Sequence, residues 1–80
     1  MNKIKKIRKF KKDTYAVVDG CYDKDWNYNF RWADSVSRTF YGKFKTVDDA
    51  VNSIPRYIKK IIINYADNDG KEINYEINRN

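Results

Sequence analysis

A small α+β domain, with an antiparallel sheet of four to five strands packed on one helix, is the fold class that this sequence predicts. Aromatic and polar residues alternate over 26–32, as in a strand with one apolar face. A helix start pattern lies at 46–49, and a turn pattern at 67–70 separates two further apolar segments. Because 80 residues make one domain, we expect residues 13–80 to fold together behind a basic N-terminal arm, residues 1–12.

The first strand is predicted from a short apolar run, and the second from an alternating pattern. The first covers 14–18, and Asp19-Gly20 is expected to end it, so that 19–25 forms a polar connection. The second covers 26–32, where alternation gives one aromatic and one polar face. The aromatic face comprises Trp26, Tyr28, Phe30 and Trp32, and the polar face comprises Asn27, Asn29 and Arg31.

A third strand is predicted over 36–44, after a turn at 33–35, and it pairs with the second strand as an antiparallel hairpin. Gly42 weakens its interior and is expected to mark a bulge or a close approach. Alternation assigns Val36, Phe40 and Phe44 to one face, and Thr39, Tyr41 and Lys43 to the other.

The helix is predicted to start after Thr46, whose hydroxyl can cap it, with Asp48 and Asp49 near the positive end of its dipole. Pro55 disfavours helical geometry at the residue before it and so limits the helix. The predicted buried face comprises Val47, Ala50, Val51 and Ile54.

Residues 56–65 allow two interpretations. A helical stripe could continue through them, but Ile61-Ile62-Ile63 is a β-branched run and favours a strand. We expect a second hairpin, 59–66 with 71–77, rather than one long helix.

The aromatic stripe of the second strand also has two interpretations. As a core face, it packs the sheet onto the helix, which a chain of this size needs. As an exposed platform, it would stack unpaired bases. We expect a core face, with Trp26 and Trp32 at its ends as the members that are partly exposed.

The arm carries most of the electrostatic character of the chain. It holds seven cations and no acid, so it contributes +7 to a formal net charge of +6, and residues 13–80 come to −1. Such an arm suits nucleic acid above all, or else an acidic protein or membrane face; a solubilising tail is the alternative. Ile4, Ile7 and Phe10 fit either one helical face or apolar anchors of a loosely ordered arm. The seven candidate contacts to nucleic acid are Lys3, Lys5, Lys6, Arg8, Lys9, Lys11 and Lys12.

The composition argues against an enzyme. Histidine, the commonest general base and metal ligand, is absent, and Cys21 is the only cysteine. Asp19, Asp23 and Asp25 could hold Mg²⁺, but clustered loop acids are usually solvated turn formers, so we expect no metal and no cofactor. We also expect a cytoplasmic protein without a signal peptide, because a lone cysteine fits a reducing compartment and no apolar run approaches the ~20 residues of a membrane span.

The polar face of the predicted hairpin is a candidate nucleic-acid surface, with an ordinary hydrated sheet face as the alternative. Arginine can pair with guanine and asparagine with adenine when a β-ribbon enters the major groove. The candidate contacts are Asn27, Asn29, Arg31, Tyr41 and Lys43, with Arg38 and Lys45 as additional phosphate contacts.

Two family resemblances come from the middle of the chain. The run 26–31, then Arg38 through Thr46, then Asp49-Ala50, resembles the arm-type DNA-binding domain at the N-terminus of tyrosine-recombinase integrases. That family has a three-stranded sheet followed by a helix and lays its sheet in the major groove, so the resemblance implies DNA contacts from the same hairpin residues. Lys43 and Asp48 depart from the family pattern. The Thr-x-x-x-Ala junction also resembles the HicB antitoxin fold.

The function predicted from the sequence is that of a small basic cytosolic accessory protein that binds nucleic acid, with DNA favoured, and that a phage or mobile element encodes. The alternative is a phage-type inhibitor or adaptor without catalysis, which docks on a host protein through Trp32, Tyr41 and Tyr57. An exposed strand edge could also pair with a second copy, which would give a homodimer.

Overall fold

Five strands and one helix follow one another in the computed structural model, which describes residues 14–79. Residues 1–13 and 80, and with them the predicted arm and its seven cations, lie outside the described residues. The elements in chain order are β1 (Tyr15–Tyr22), β2 (Tyr28–Asp34), β3 (Phe40–Phe44), α1 (Val47–Ser53), β4 (Lys60–Ala66) and β5 (Glu72–Asn78). The α+β class is therefore confirmed, and residues 60–66 form a strand as expected.

The sheet is mixed, with strand order β3-β2-β1-β4-β5. The predicted hairpins β2–β3 and β4–β5 are antiparallel, as is β1–β2, but β1 and β4 pair in parallel. The expectation of a wholly antiparallel sheet is wrong in this one pairing. Two reversals leave β3 running in the direction of β1, and α1 then carries the chain back before β4 begins, so β4 runs the same way as β1.

Strand β1 continues through Asp19-Gly20 to Tyr22, so the predicted end at this dipeptide is wrong. Gly20 pairs with Phe30, and a Cβ at this position would overlap the Tyr28 ring, including a 2.9 Å approach to Cε2. The glycine therefore serves a close approach within the sheet rather than a turn. The chain reverses at 23–27 instead, just before β2.

The core lies between the sheet and α1. Trp32 is only 5 % exposed, and its indole nitrogen donates to the Ser53 hydroxyl at 2.8 Å. The core expectation is confirmed for this ring, and the expectation that it is partly exposed is wrong, because β2 extends to Asp34 and Trp32 lies inside the strand. The other buried hydrophobic residues are Ala16, Val18, Ala50, Ile54, Ile58, Ile61 and Ile63.

A register shift in β3 changes which side chains share a face. Phe30 pairs with Phe44, whereas Arg31 pairs with Gly42, so Lys43 is the extra residue of a bulge. A Cβ at Gly42 would lie 2.8 Å from the Arg31 Cα, so Gly42 marks both a bulge and a close approach, as expected. Strict alternation across this bulge is wrong: Phe44 packs on the core, whereas Phe40 lies on the opposite face, beside Arg31.

Helix α1 begins and ends as its sequence predicts. The Thr46 hydroxyl accepts from the Asp49 N–H at 3.0 Å, and the helix stops at Ser53, just before Ile54 and Pro55. Its open carbonyl end is satisfied by Arg79, a contact that no sequence pattern indicated. The Arg79 guanidinium donates to the carbonyls of Val51, Ile54, Pro55 and Ile58 at 2.9–3.2 Å.

Candidate nucleic-acid interface

The predicted hairpin contacts do not all lie on one surface. Asn29 and Arg31 lie on the sheet face opposite α1, here called the outer face, and Lys43 borders the same hollow as these two. Asn27 lies in the connection before β2, Arg38 lies in the turn after β2, and Lys45 follows β3.

Tyr41 lies on the other side of the sheet. Its ring stacks on Trp32 with the ring centroids 4.4 Å apart. The expectation that Tyr41 shares a polar face with Arg31 is therefore wrong, because the strand pairs Tyr41 with Trp32 before the bulge shifts the register.

Arg31 is held by two neighbours on the outer face. Its Nε donates to Asp19 Oδ1 at 2.8 Å and its Nη2 to Asp19 Oδ2 at 3.4 Å. Its guanidinium carbon lies 3.9 Å from the centroid of the Phe40 ring. The hydrogen bond to Asp19 raises the pKa of Arg31. The positive charge of Arg31 is thus balanced locally, and the guanidinium is oriented before any ligand arrives.

Asp23 organises the connection between β1 and β2. Its Oδ1 accepts from the backbone N–H groups of Asp25 and Asn27 at 2.9 and 3.0 Å. Its Oδ2 accepts from Asn29 Nδ2 at 3.1 Å and lies 3.3 Å from Lys43 Nζ. The bond from Asn27 is the main cause that lowers the pKa of Asp23 from 3.8 to about 2. The side chains of two predicted nucleic-acid contacts, Asn29 and Lys43, are therefore already engaged by one carboxylate, which also holds the backbone of Asn27.

This carboxylate makes the fold sensitive to acid. Because the pKa of Asp23 is lower when folded than its ordinary value of 3.8, it stabilises the fold above about pH 4, and the contribution is lost as pH falls through 2. We expect Asp23→Asn to lower the free energy of unfolding at pH 7 and to flatten its decline between pH 5 and 2. Urea unfolding at several pH values measures both effects.

The matched control is Asp25→Asn, since Asp25 contributes a backbone N–H to this cluster and lies two residues away. It should keep the acid sensitivity of the parent chain. Some sensitivity should survive in Asp23→Asn, because hydrogen bonds from Ser37 and Val36, opposed by burial, lower the pKa of Asp34 as well. An unchanged pH profile in Asp23→Asn would contradict the role assigned to Asp23.

Aromatic rings form a row from the surface to the core at one end of the sheet. Trp26 is 80 % exposed and has a positive φ of 64°, and Tyr22 is 62 % exposed. Successive centroids along this aromatic row lie 4.9–6.0 Å apart. Its members, in order, are Trp26, Tyr22, Tyr28, Phe30 and Tyr65. The expected exposure of Trp26 is confirmed.

Two hollows flank Tyr28 and share Lys45, and together they form what is here called the sheet-end groove. One has a volume of about 590 Å³ and is also lined by Asn27 and by Asp23 with its partners Asn29 and Lys43. The other encloses about 300 Å³ and reaches Tyr65 and Asn68. Burial raises the pKa of the Tyr28 phenol. Beside the carboxylates of Asp23 and Asp67, the groove thus offers a ring, amides and ammonium groups, which can stack bases and contact phosphates.

Within 14–79, no three His, Cys, Asp or Glu side chains are placed to share a metal ion. Cys21 is a half-buried free thiol. No helix in this part of the chain is long and apolar enough to cross a membrane.

Comparison with known proteins adds no relative. No protein-family model, curated protein or solved structure matches the chain. The resemblances to integrase arm-type domains and to HicB antitoxins therefore stay predictions.

The sequence indicated the basic arm and the exposed Trp26, but not the role of Asp23 or Tyr28. The Asp23-x-Asp25-x-Asn27 spacing is a usable sign of a side chain that caps its own turn. The position of Tyr28 over Gly20 depends on the pairing of β1 with β2, which no local pattern gives.

Proposed function

We propose that this protein is a small cytosolic accessory protein, of the kind that phages and mobile elements encode, which binds nucleic acid through its arm and the sheet-end groove. The observation that carries the proposal is the separation of charge along the chain. Residues 1–12 hold seven cations and no acid, whereas residues 14–79 hold ten of each and so have no net charge. Affinity would therefore come mainly from the arm.

The described surface supports the groove over the outer face as the place where bases bind. Arg31 on the outer face would have to give up Asp19 before it could pair with a base. The groove instead presents the Tyr28 ring beside Lys45, and Tyr22 connects this ring to the exposed Trp26 along the aromatic row. Rings of this kind stack bases that are not paired with a second strand, so we propose single-stranded segments as the ligand.

A fluorescence-anisotropy titration tests the proposed function. The full chain is titrated into labelled single-stranded DNA, single-stranded RNA and duplex DNA at 50 and 200 mM salt. We expect the tightest binding to a single strand, and weaker binding at the higher salt because counterions are released when phosphates are neutralised. Binding to duplex DNA alone would instead favour the outer face in the major groove, as the integrase resemblance implies, and no binding would refute the function.

Trp26→Ala separates stacking from charge. Because a stacked base contributes about 1–3 kcal/mol, the substitution should weaken single-strand binding by about fivefold to 150-fold at unchanged net charge. Tyr57→Ala is the matched control, since Tyr57 is also exposed but lies between α1 and β4, away from the groove. Equal losses in the two variants would remove stacking on the aromatic row from the proposal.

The exposed aromatic residues also favour the alternative function, an inhibitor or adaptor that docks on a host protein. Tyr41 and Tyr57 are both exposed enough to serve as anchors, whereas the buried Trp32 is not. This alternative predicts a stoichiometric complex with a host protein that survives high salt without nucleic acid. Tyr57→Ala would then weaken that complex, while neutralising the arm would not.

A further inference from the structure

The two edge strands of the sheet differ in length and in regularity. Edge strand β3 has five residues and is interrupted by the bulge at Lys43. Edge strand β5 has seven residues, Glu72–Asn78, and pairs with β4 without a register shift. Bulges and short lengths protect an edge from pairing with another chain, and β5 has neither.

Backbone hydrogen bonds define which groups of β5 point outward. The Asp67 N–H donates to the Lys71 carbonyl at 2.9 Å, and the Arg79 N–H donates to the Lys59 carbonyl at 2.7 Å. Since bonded pairs alternate along an antiparallel ladder, the odd-numbered residues of β5 bond to β4. The even-numbered residues, which direct their N–H and C=O groups away from the sheet, are Glu72, Asn74, Glu76 and Asn78.

We propose that β5 pairs antiparallel with β5 of a second copy, with the two Tyr75 residues facing each other on a two-fold axis. All seven residues of each β5 strand are then paired. The even-numbered residues of both copies, whose backbone groups point away from their own sheets, form the hydrogen-bonded pairs. Glu72 faces Asn78 of the second copy, and Asn74 faces Glu76. On the other face, Ile73 lies opposite Ile77 of the second copy.

Charge selects this register over its neighbours. Registers that keep the outward groups in bonded positions differ by steps of two residues. One step in one direction places Glu72 opposite Glu76, and one step in the other direction places Glu76 opposite Glu76. Like charges directly across a strand pair are destabilising, and larger shifts leave only three residues paired. The centred register is the one that gives full overlap and places no acid against an acid.

The apolar side chains of β5 also favour a partner. Tyr75 is 47 % exposed, although it lies on the sheet face that α1 covers over other strands. In the proposed dimer the two Tyr75 residues form a non-hydrogen-bonded cross-strand pair, the type of pair in which side chains approach most closely. One strand pair is a small interface, so we expect a weak dimer that forms as concentration rises.

Cysteine crosslinking tests the register. In a Cys21→Ser background, Tyr75→Cys places two thiols at a non-bonded pair, with Cα atoms about 4.5 Å apart, which a disulfide can span. We expect mild oxidation to give a linked dimer on a non-reducing gel. Ile73→Cys and Ile77→Cys are the matched controls: each alone should give no linked dimer, whereas a mixture of the two should crosslink. No dimer from Tyr75→Cys, or equal crosslinking by Ile73→Cys alone, would overturn the proposal.

A second measurement does not depend on a disulfide. In sedimentation experiments, Asn74→Glu should raise the dissociation constant of the dimer on the order of tenfold above that of the parent chain, because the variant places an acid opposite Glu76 twice per dimer. Asn74→Lys should strengthen the dimer through two opposite-charge pairs. Asn64→Glu is the control, since Asn64 pairs with Asn74 but lies on β4, inside the sheet. The same response from both positions would also count against the proposal.

Discussion

Replacing all seven arm cations with glutamine should lower the affinity for a single strand by on the order of 10³-fold at low salt. Each phosphate that a cation neutralises releases condensed counterions, and the logarithm of the affinity then falls by about 0.7 per decade of salt for each contact on a single strand. The variant should lose most of this salt slope along with its affinity. Anisotropy titrations between 50 and 200 mM salt measure both quantities, and circular dichroism verifies that the sheet is retained.

A charge-matched pair of variants separates the arm from net charge. Lys5→Gln with Lys6→Gln removes two cations from the arm, whereas Arg56→Gln with Lys60→Gln removes two from the described residues. Arg56 precedes β4 and Lys60 is its first residue. Both therefore lie away from Ala66, the last residue of β4, which lines the groove. The arm pair should weaken binding clearly more than the second pair. Equal losses of affinity would mean that binding depends on the net charge of the whole molecule, and the proposed role of the arm would be wrong.

Trp32→Ala should destabilise the fold by about 3–5 kcal/mol, the range for a buried tryptophan, out of the about 5–15 kcal/mol that holds a typical domain together. The indole is 5 % exposed, stacks on Tyr41 and donates to the Ser53 hydroxyl. Removing it leaves a cavity between the sheet and α1. Urea unfolding gives the loss in free energy, and we expect the midpoint of unfolding to shift to a clearly lower urea concentration.

Trp26→Ala is the natural control because the same side chain is removed from a position that is 80 % exposed. Its unfolding curve should stay within about 0.5 kcal/mol of the parent chain. Together the two variants separate the tryptophan that builds the core from the one available to a ligand. A comparable loss of stability in both would contradict this separation of roles.

Local patterns predicted the elements well where each depends on neighbouring residues. The alternation around Tyr28 and Phe30, the cap at Thr46 and the turn before β5 each gave an element that the structure confirms. Propensity misplaces the end of β1, since Asp19-Gly20 predicts a turn, whereas Gly20 makes room for the Tyr28 ring. The parallel pairing of β1 with β4 is a property of the whole chain, which no window of sequence contains.

The candidate interface was harder to predict, for a related reason. Sequence shows that Arg31, Asn29 and Lys43 are polar, but not that Asp19 and Asp23 already engage them. One bulge residue was enough to leave Tyr41 on the opposite side from Arg31. Arg79, which satisfies four carbonyls around the end of α1, carries no local mark of that role.

The parallel pairing of β1 with β4 also sets an order of events during synthesis. Strands β1, β2 and β3 follow one another closely in the sequence, so they can pair as antiparallel strands as soon as they leave the ribosome. The other edge of β1 must wait until α1 and β4 have emerged. During that interval the central strand of the finished protein is an open edge in the nascent chain. Slow translation through α1 would therefore raise the risk of misassembly more than a pause after β4.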